Sequence, residues 1–398
     1  MPTILSRCLI AIVCCVCFAL PRVALAEPAP LYFLALSDIH FDPFVTCYRH
    51  KAKSCSLIKR LAKAPASQWA ALFSEADVDE PRYREDTNYV LLKKNLKEAK
   101  LAAAENHVDF VMVLGDTRGH NFRRYYRKYT GDKSHAGFQS FVKKTLTFVN
   151  SELSATFADT NVFMVTGNND TYSRDYQSVP HGDFFRDMGA LWSSLIINPR
   201  DRAAMRRQFA VAGYYAVDVP KHDSLRLIVL NSVLFSKKSS GKASEKAAQK
   251  QLDWLQGQLK EAKKRKQRVF IALHIPPKLD AYATHRWRLF TLQQFWQEKF
   301  LVGFDRVITP FHSRIVSIFS GHLHYDWEQS LAIGDDQHVR VMGAPSVSPI
   351  FGNDPGFKVY HYDPVNGDID DFYTYTYPVR GRGTWSIEHV YNLLNKKK

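Results

Sequence analysis

The sequence predicts an α/β fold with two sheets, on three observations. Short apolar runs that read as strands alternate with segments whose apolar residues recur at helical spacing. The run from Val108 to Leu114 is almost continuously apolar, the pattern of a strand covered on both faces. Near the end of the chain, Val339 to Met342 and an alternating stretch from Phe357 to Tyr377 read as late strands of a second sheet. The 398 residues carry no internal repeat, low-complexity tract or clear linker, which predicts one large domain over 27–398, with a core at about 31–378 and a basic tail over 379–398.

In chain order, Arg7, an apolar run from Cys8 to Leu20 and the small residues around Ala24 to Ala26 have the composition of a secretory signal over 1–26, cleaved after Ala26. The run is shorter than the roughly 20 residues of a membrane span, so an exported chain without a stable membrane anchor, periplasmic or extracellular, is predicted. Cys8, Cys14, Cys15 and Cys17 leave with that segment. Cys47 and Cys55 remain, and their short separation in an exported protein favours a disulfide closing a loop. Cysteine-rich metal sites are thereby excluded, and histidine, aspartate and asparagine are left as metal donors. The formal net charge is +15, or +13 without Arg7 and Arg22, a balance that attracts phosphate-bearing partners. No basic stripe interleaved with aromatics is present, so specific nucleic-acid binding is not predicted.

The first strand, Leu31 to Leu36, runs into Ser37-Asp38-Ile39-His40, and strand alternation predicts that Asp38 and His40 point the same way. From Phe41 to about Arg84 the pattern is irregular and reads as an excursion over the rim. Thr87 then caps a helix marked by Leu91, Leu92, Leu96, Ala99 and Ala103. The strand over 108–114 ends in Gly115-Asp116-Thr117-Arg118-Gly119-His120. A helix from Phe138 to Leu153 precedes the strand Val162 to Thr166, which delivers Gly167-Asn168-Asn169-Asp170. Leu225 to Leu230 is a strand, and Leu252, Leu255, Leu259 and Ala262 mark a helix. Val269 to Leu273 leads into His274-Ile275-Pro276-Pro277, and Ile315 to Phe319 into Gly321-His322-Leu323-His324.

Ligand sites in α/β sheets gather at the carboxyl ends of strands, so these turns can converge. They offer seven hard or imidazole donors: Asp38, His40, Asp116, Asn168, His274, His322 and His324. One cation cannot use seven and keep a place for substrate, whereas two cations sharing a carboxylate can, with Asp116 as the natural bridge.

The ordered set DIH, GDTRGH, GNND, HIPP and GHLH resembles the calcineurin-like metallophosphoesterases. HIPP with the tail APSVSPIFGNDPGFKVYHYD resembles the acid sphingomyelinase-like phosphodiesterases among them, and the resemblance runs from about Leu31 to Tyr377. It implies a two-sheet sandwich flanked by helices, αββα, and hydrolysis of phosphodiester or phosphoanhydride bonds in small phosphorylated substrates by metal-activated water. It also implies two divalent ions, one held by Asp38, His40, Asp116 and His324 and the other by Asp116, Asn168, His274 and His322. The mixed N/O donors favour zinc, with iron or manganese as alternatives. His120 stands where these phosphodiesterases keep a histidine that protonates the leaving oxygen.

The chain departs from the family at Asn169, where most relatives have histidine. An amide can orient a phosphate oxygen but cannot act as an acid, so Asn169 is expected to contact phosphate. The GNND form also resembles endopolyphosphatases. Arg118, with Arg123, Arg124, Arg127 and Lys128, is expected to hold further phosphates, and His285, near Arg286 and Arg288, to touch substrate. Only a few residues separate the predicted cleavage site from the first strand, too few for the saposin-like module of the sphingomyelinase proper. A soluble, nucleotide-type substrate is therefore expected, with polyphosphate, or sphingomyelin and other phospholipids, as alternatives.

Overall fold

In the computed structural model residues 31–76, 79–219, 222–277, 294–363, 365–381 and 383–392 are described. The predicted signal segment 1–26 lies outside them, as do His285, Arg286 and Arg288. Strands β1 (Leu31–Leu36), β2 (Phe110–Val113) and β3 (Asn161–Met164) run parallel and are buried over most of their length, as their apolar runs demand. The second sheet holds β4 (Tyr215–Val219), β5 (His222–Val229), β6 (Arg268–Ala272), β7 (Ile315–Ser320), β8 (Trp327–Ile333) and β9 (Gln337–Gly343). Its order is β4-β5-β6-β7-β9-β8, with β5, β6, β7 and β9 parallel.

The stretch predicted to complete this second sheet joins the first instead. Strands β10 (Gly356–Tyr362), β11 (Ile369–Thr376) and β12 (Ser386–Asn392) add to it in the order β12-β11-β10-β1-β2-β3, and β10 lies antiparallel to β1 with Leu31 opposite Tyr362. Alternating hydrophobicity marks a strand with one covered face but does not name its neighbour. The sheets pack face to face through aromatics. Phe33 stacks on Phe110 and Tyr360 of its own sheet, at 4.9 and 4.8 Å, and meets Phe319 of the other edge-on at 5.2 Å.

Ten α-helices occur among the described residues. The span read as irregular, 41–84, contains α1 (Val45–Arg49), α2 (Ser56–Lys63) and α3 (Trp69–Glu75), because Leu57, Ile58, Leu61, Trp69 and Phe73 turn apolar faces to the core. Cys47 and Cys55 form the predicted disulfide between α1 and α2. Helix α4 (Tyr89–Glu105) is capped by Asn88, whose side chain accepts from Leu91 N–H at 2.9 Å. Thr87, the predicted cap, is instead laddered to the turn after β1: its N–H donates to His40 O, and its carbonyl accepts from Asp42 N–H. Then follow α5 (Phe122–Thr130), α6 (His135–Thr156), α7 (Asp183–Trp192), α8 (Pro199–Ala212), α9 (Lys242–Lys264) and α10 (Glu298–Ile308). Helix α4 lies on the first sheet and α9 on the second, so two helical layers enclose the two sheets.

Candidate metal centre

The turns after β1, β2, β3, β6 and β7 meet at one place. The first two stay hydrogen-bonded beyond the sheet: Asp38 N–H donates to Gly115 O at 3.0 Å and His40 N–H to Asp116 O at 2.8 Å. In the second sheet, Gly321 N–H donates to His274 O at 3.1 Å. Strand alternation does not orient Asp38 and His40 as predicted, because β1 ends at Leu36 and both residues have left-handed backbone, with φ of 47° and 43°. Asp116, His322 and His324 are left-handed too, at 53°, 73° and 65°. Such conformations cost about 1–3 kcal/mol each in non-glycine residues, and they persist where surrounding structure over-determines them. Two glycines let the turns press together. A side chain at Gly321 would strike Ser37 and Asp38, and one at Gly167 would strike Asp116.

The seven predicted donors are all brought within reach of one another, in two groups. In the first, His40 Nε2 lies 3.2 Å from His324 Nε2 and 3.6 Å from Asp38 Oδ1, and His324 Nε2 lies 3.3 Å from Asp38 Oδ1. In the second, ligating atoms of Asp116, His274 and His322 cluster, and His274 Nε2 is 3.2 Å from Asn168 Oδ1. One oxygen joins the groups: Asp116 Oδ2 is 3.5 Å from His40 Nε2 and 3.3 Å from His274 Nε2.

Local hydrogen bonds choose the tautomers that leave lone pairs facing inward. His40 Nδ1–H donates to Arg118 O at 3.1 Å and His274 Nδ1–H to Leu114 O at 2.8 Å, which frees Nε2 of each ring. Asp38 Oδ1 is buried and accepts no well-formed hydrogen bond among the described residues. Burial opposes charge on Asp38 and Asp116, yet the facing imidazoles outweigh it and hold both carboxyls below the usual range. Burial likewise opposes charge on His274, but Asp116 and Asp38 raise it to about 9; His322, partly desolvated and facing His274, is held down at about 3. Two converging imidazole nitrogens and an orphaned carboxylate oxygen are repulsive or unsatisfied by themselves and are satisfied by cations. The residues therefore fit a pair of divalent ions bound by nitrogen and oxygen.

His120 lies over the first group, its ring stacked on His40 at 4.0 Å and 24°. Asp86 grips it twice, accepting from His120 N–H at 2.7 Å and pairing with Nδ1 at 3.0 Å. Burial lowers the basicity of His120, but the Asp86 carboxylate overrides this and raises it to about 9. Asp86 escaped the sequence reading. It sits 34 residues before His120 without a motif, and only its proximity to a motif histidine reveals it.

Two predicted substrate contacts are turned inward. Asn169 is 1% exposed, and its backbone and carboxamide N–H groups both donate to Asp116, at 2.6 and 2.7 Å. Arg118 is 2% exposed; its guanidinium donates to Asn169 O at 2.6 Å and to Asp175 at 3.2 Å and lies over Phe122. Both face the bridging carboxylate or its support, because the β2 and β3 turns pack directly on each other.

The two sheets are also tied just beyond the ligands. Asp326, two residues after His324, is held by Lys358 Nζ of β10 at 2.5 Å and by Thr374 Oγ1 of β11 at 2.6 Å. Lys358 is fully buried, with its ammonium 3.8 Å above the Phe372 ring.

The profile of the calcineurin-like phosphoesterase family matches residues 31–326. The chain is similar to sphingomyelinase phosphodiesterase D of Dictyostelium discoideum, 26% identical over 330 residues, covering 79% of this chain and 68% of that protein. It is 24% identical over 378 residues to cyclic GMP-AMP phosphodiesterase SMPDL3A of Mus musculus, covering 91% and 76%. To acid sphingomyelinase-like phosphodiesterase 3b of Homo sapiens it is 23% identical over 385 residues, covering 92% and 76%. A solved dimetal phosphatase from Danio rerio superposes with a TM-score of 0.48 at 15% identity, covering 87% of this chain and 96% of that one.

Proposed function

The chain belongs to the calcineurin-like phosphoesterase family and is a hydrolase acting on ester bonds, and from that premise we propose that it is an exported dinuclear phosphodiesterase of small, soluble, nucleotide-type substrates. One observation carries the dinuclear reading: a single oxygen, Asp116 Oδ2, within 3.5 Å of nitrogens from both donor groups. Two divalent ions bound here, zinc by the chemistry of the donors, would supply an acidified water and neutralise the phosphate oxygens for in-line displacement.

The chain's own residues supply the rest. Asp38, His40 and His324 hold one side of the phosphate's cradle and Asn168, His274 and His322 the other, with Asp116 shared. Asn169 fixes the rotation of Asp116 through two hydrogen bonds, acting as a positioning residue rather than a phosphate contact. His120, protonated and oriented by Asp86, delivers a proton from its imidazole to the departing alkoxide oxygen. Export is supported by the order of charges and apolar residues over 1–26 and by the Cys47–Cys55 disulfide. No helix among the described residues is long and apolar enough to cross a membrane.

The test is a substrate panel on metal-loaded protein: aryl and alkyl phosphodiesters, phosphomonoesters, nucleoside triphosphate, polyphosphate and sphingomyelin. Nucleotide-type diesters should turn over best. His120→Ala should slow alkyl diesters by about 10²–10⁴-fold and aryl diesters, whose leaving groups need little protonation, far less. A preference for polyphosphate or sphingomyelin overturns the substrate class, and equal losses on both kinds of diester remove His120 from the acid's role.

A further inference from the structure

Phe351 stands out at the mouth of this centre. It is 66% exposed, although exposed phenyl rings forgo the stabilisation that burial gives. It also touches the machinery: its ring meets His324 at 4.6 Å and His120 at 5.6 Å, tilted 72° and 79° from them. With two thirds of its surface open, at least one ring face is free to receive a partner.

The loop that carries Phe351 is not slack. Asn353 Nδ2 donates to Ser346 Oγ at 2.9 Å and Ser348 O at 3.1 Å, Ser348 Oγ donates to Asp86 at 3.1 Å, and Tyr83 Oη donates to Gly352 O at 2.8 Å. The ring is thus presented by a fixed support that shares Asp86 with His120. A solvent-facing aromatic on a hydrogen-bonded loop is the arrangement of a stacking platform. An acyl chain would want a continuous apolar track, whereas in this loop Val347 and Pro349 are buried, Ile350 is half-buried, and Phe351 is the one exposed large apolar side chain among residues 344–355.

We infer that Phe351 is a specificity residue that stacks a planar ring, a nucleobase, on the leaving-group side of the scissile phosphate. The side follows from the proposed role of His120, on which this inference rests: the proton donor must lie against the departing oxygen, and Phe351 lies against the proton donor. The other flank is built differently. Phe295 and Tyr176 stand edge-on to His322 at 5.1 and 6.3 Å, and Lys238 Nζ lies 4.7 Å over the Tyr176 ring. That flank presents a cation where the first presents a bare ring.

The experiment compares a 3′→5′ dinucleotide with the corresponding nucleotide ethyl ester, whose leaving alkoxide lacks a base. Both are assayed with full-length, metal-loaded wild type, Phe351→Ala and Phe351→Trp. Phe351→Ala should lower kcat/KM for the dinucleotide by about 5- to 150-fold, mainly through KM, and cost the ethyl ester several-fold less. Phe351→Trp should retain the dinucleotide activity. Calorimetric titration of the same proteins with adenosine 5′-monophosphate and with methyl phosphate should give the same split without turnover. Equal losses on both diesters overturn the Phe351 assignment alone, and so does a loss confined to long-chain phospholipid diesters. A wild type that cleaves neither diester overturns the phosphodiesterase reading and this inference with it.

Discussion

The two donor groups share Asp116 but differ in what covers them. Over Asp38, His40 and His324 stands a titratable ring, His120, clamped by buried Asp86 and edged by Phe351. Over Asp116, Asn168, His274 and His322, among the described residues, stand the aromatic edges of Phe295 and Tyr176, with Lys238 beyond. On the proposed reading of His120, the residues above the ligands, rather than the ligands themselves, set which end of a phosphodiester departs.

The largest expected effect tests whether the groups are one centre or two. Asp116→Ala should lower turnover by on the order of 10³-fold or more, several kcal/mol of barrier, and reduce bound metal to below about one equivalent. Asp38→Ala should leave about one equivalent. Equal metal loss in the two variants, read by elemental analysis, breaks the comparison.

The next effect is a pH signature of the His120–Asp86 pair over the first group, isolated by the Asp86→Asn variant because His274 of the second group is raised to about 9 as well. In chelator-stripped protein, His120 has its basicity raised to about 9 by Asp86. The pair's stabilisation is therefore fully present below about pH 6.5, the unfolded imidazole value, and is lost as pH rises through about 9. Thermal unfolding of stripped wild type and Asp86→Asn should accordingly show a gap in Tm at pH 6 that closes by about pH 10. A gap of constant size across that range contradicts the ion pair. His322, held neutral at about 3, has no such dependence in this window.

The smallest effect concerns the tie between the sheets. Lys358→Met and Thr374→Val should each weaken the ion held with His324 by about 10- to 100-fold, as changes behind a ligand do, and the ion held by His274 less. Chelator competition reads this. A lowered Tm with unchanged metal affinity would make Lys358 and Asp326 a structural pair only.

Much of the centre was legible because metal chemistry restricts donors to a few residue types, and because glycines in the turns after β2, β3 and β7 mark where two backbones must approach. Gly167 and Gly321 illustrate this, since any side chain there would strike Asp116 or Asp38. The inward turn of Arg118 and Asn169 was not legible, because a charged or amide side chain in a motif looks alike whether it faces phosphate or a neighbouring loop. Asp86 and Ser348 were hidden for a similar reason: they meet 262 residues apart, and nothing local announces the contact. The strands β10 and β11 were recognised as strands but given to the wrong sheet, since a period of two records burial and not partnership.

That partnership has a consequence for how the molecule is made. Leu31, at the start of the first strand, pairs with Tyr362, near the end of the chain. A growing polypeptide would carry β1 with one edge bare until β10 is made, and open strand edges recruit other chains. Closure of the first sheet, and with it the Lys358 grip on the loop of His324, must wait for the last strands to emerge. Ribosome-bound chains truncated before β10 should therefore aggregate or bind chaperones, and metal capture should follow the emergence of β10.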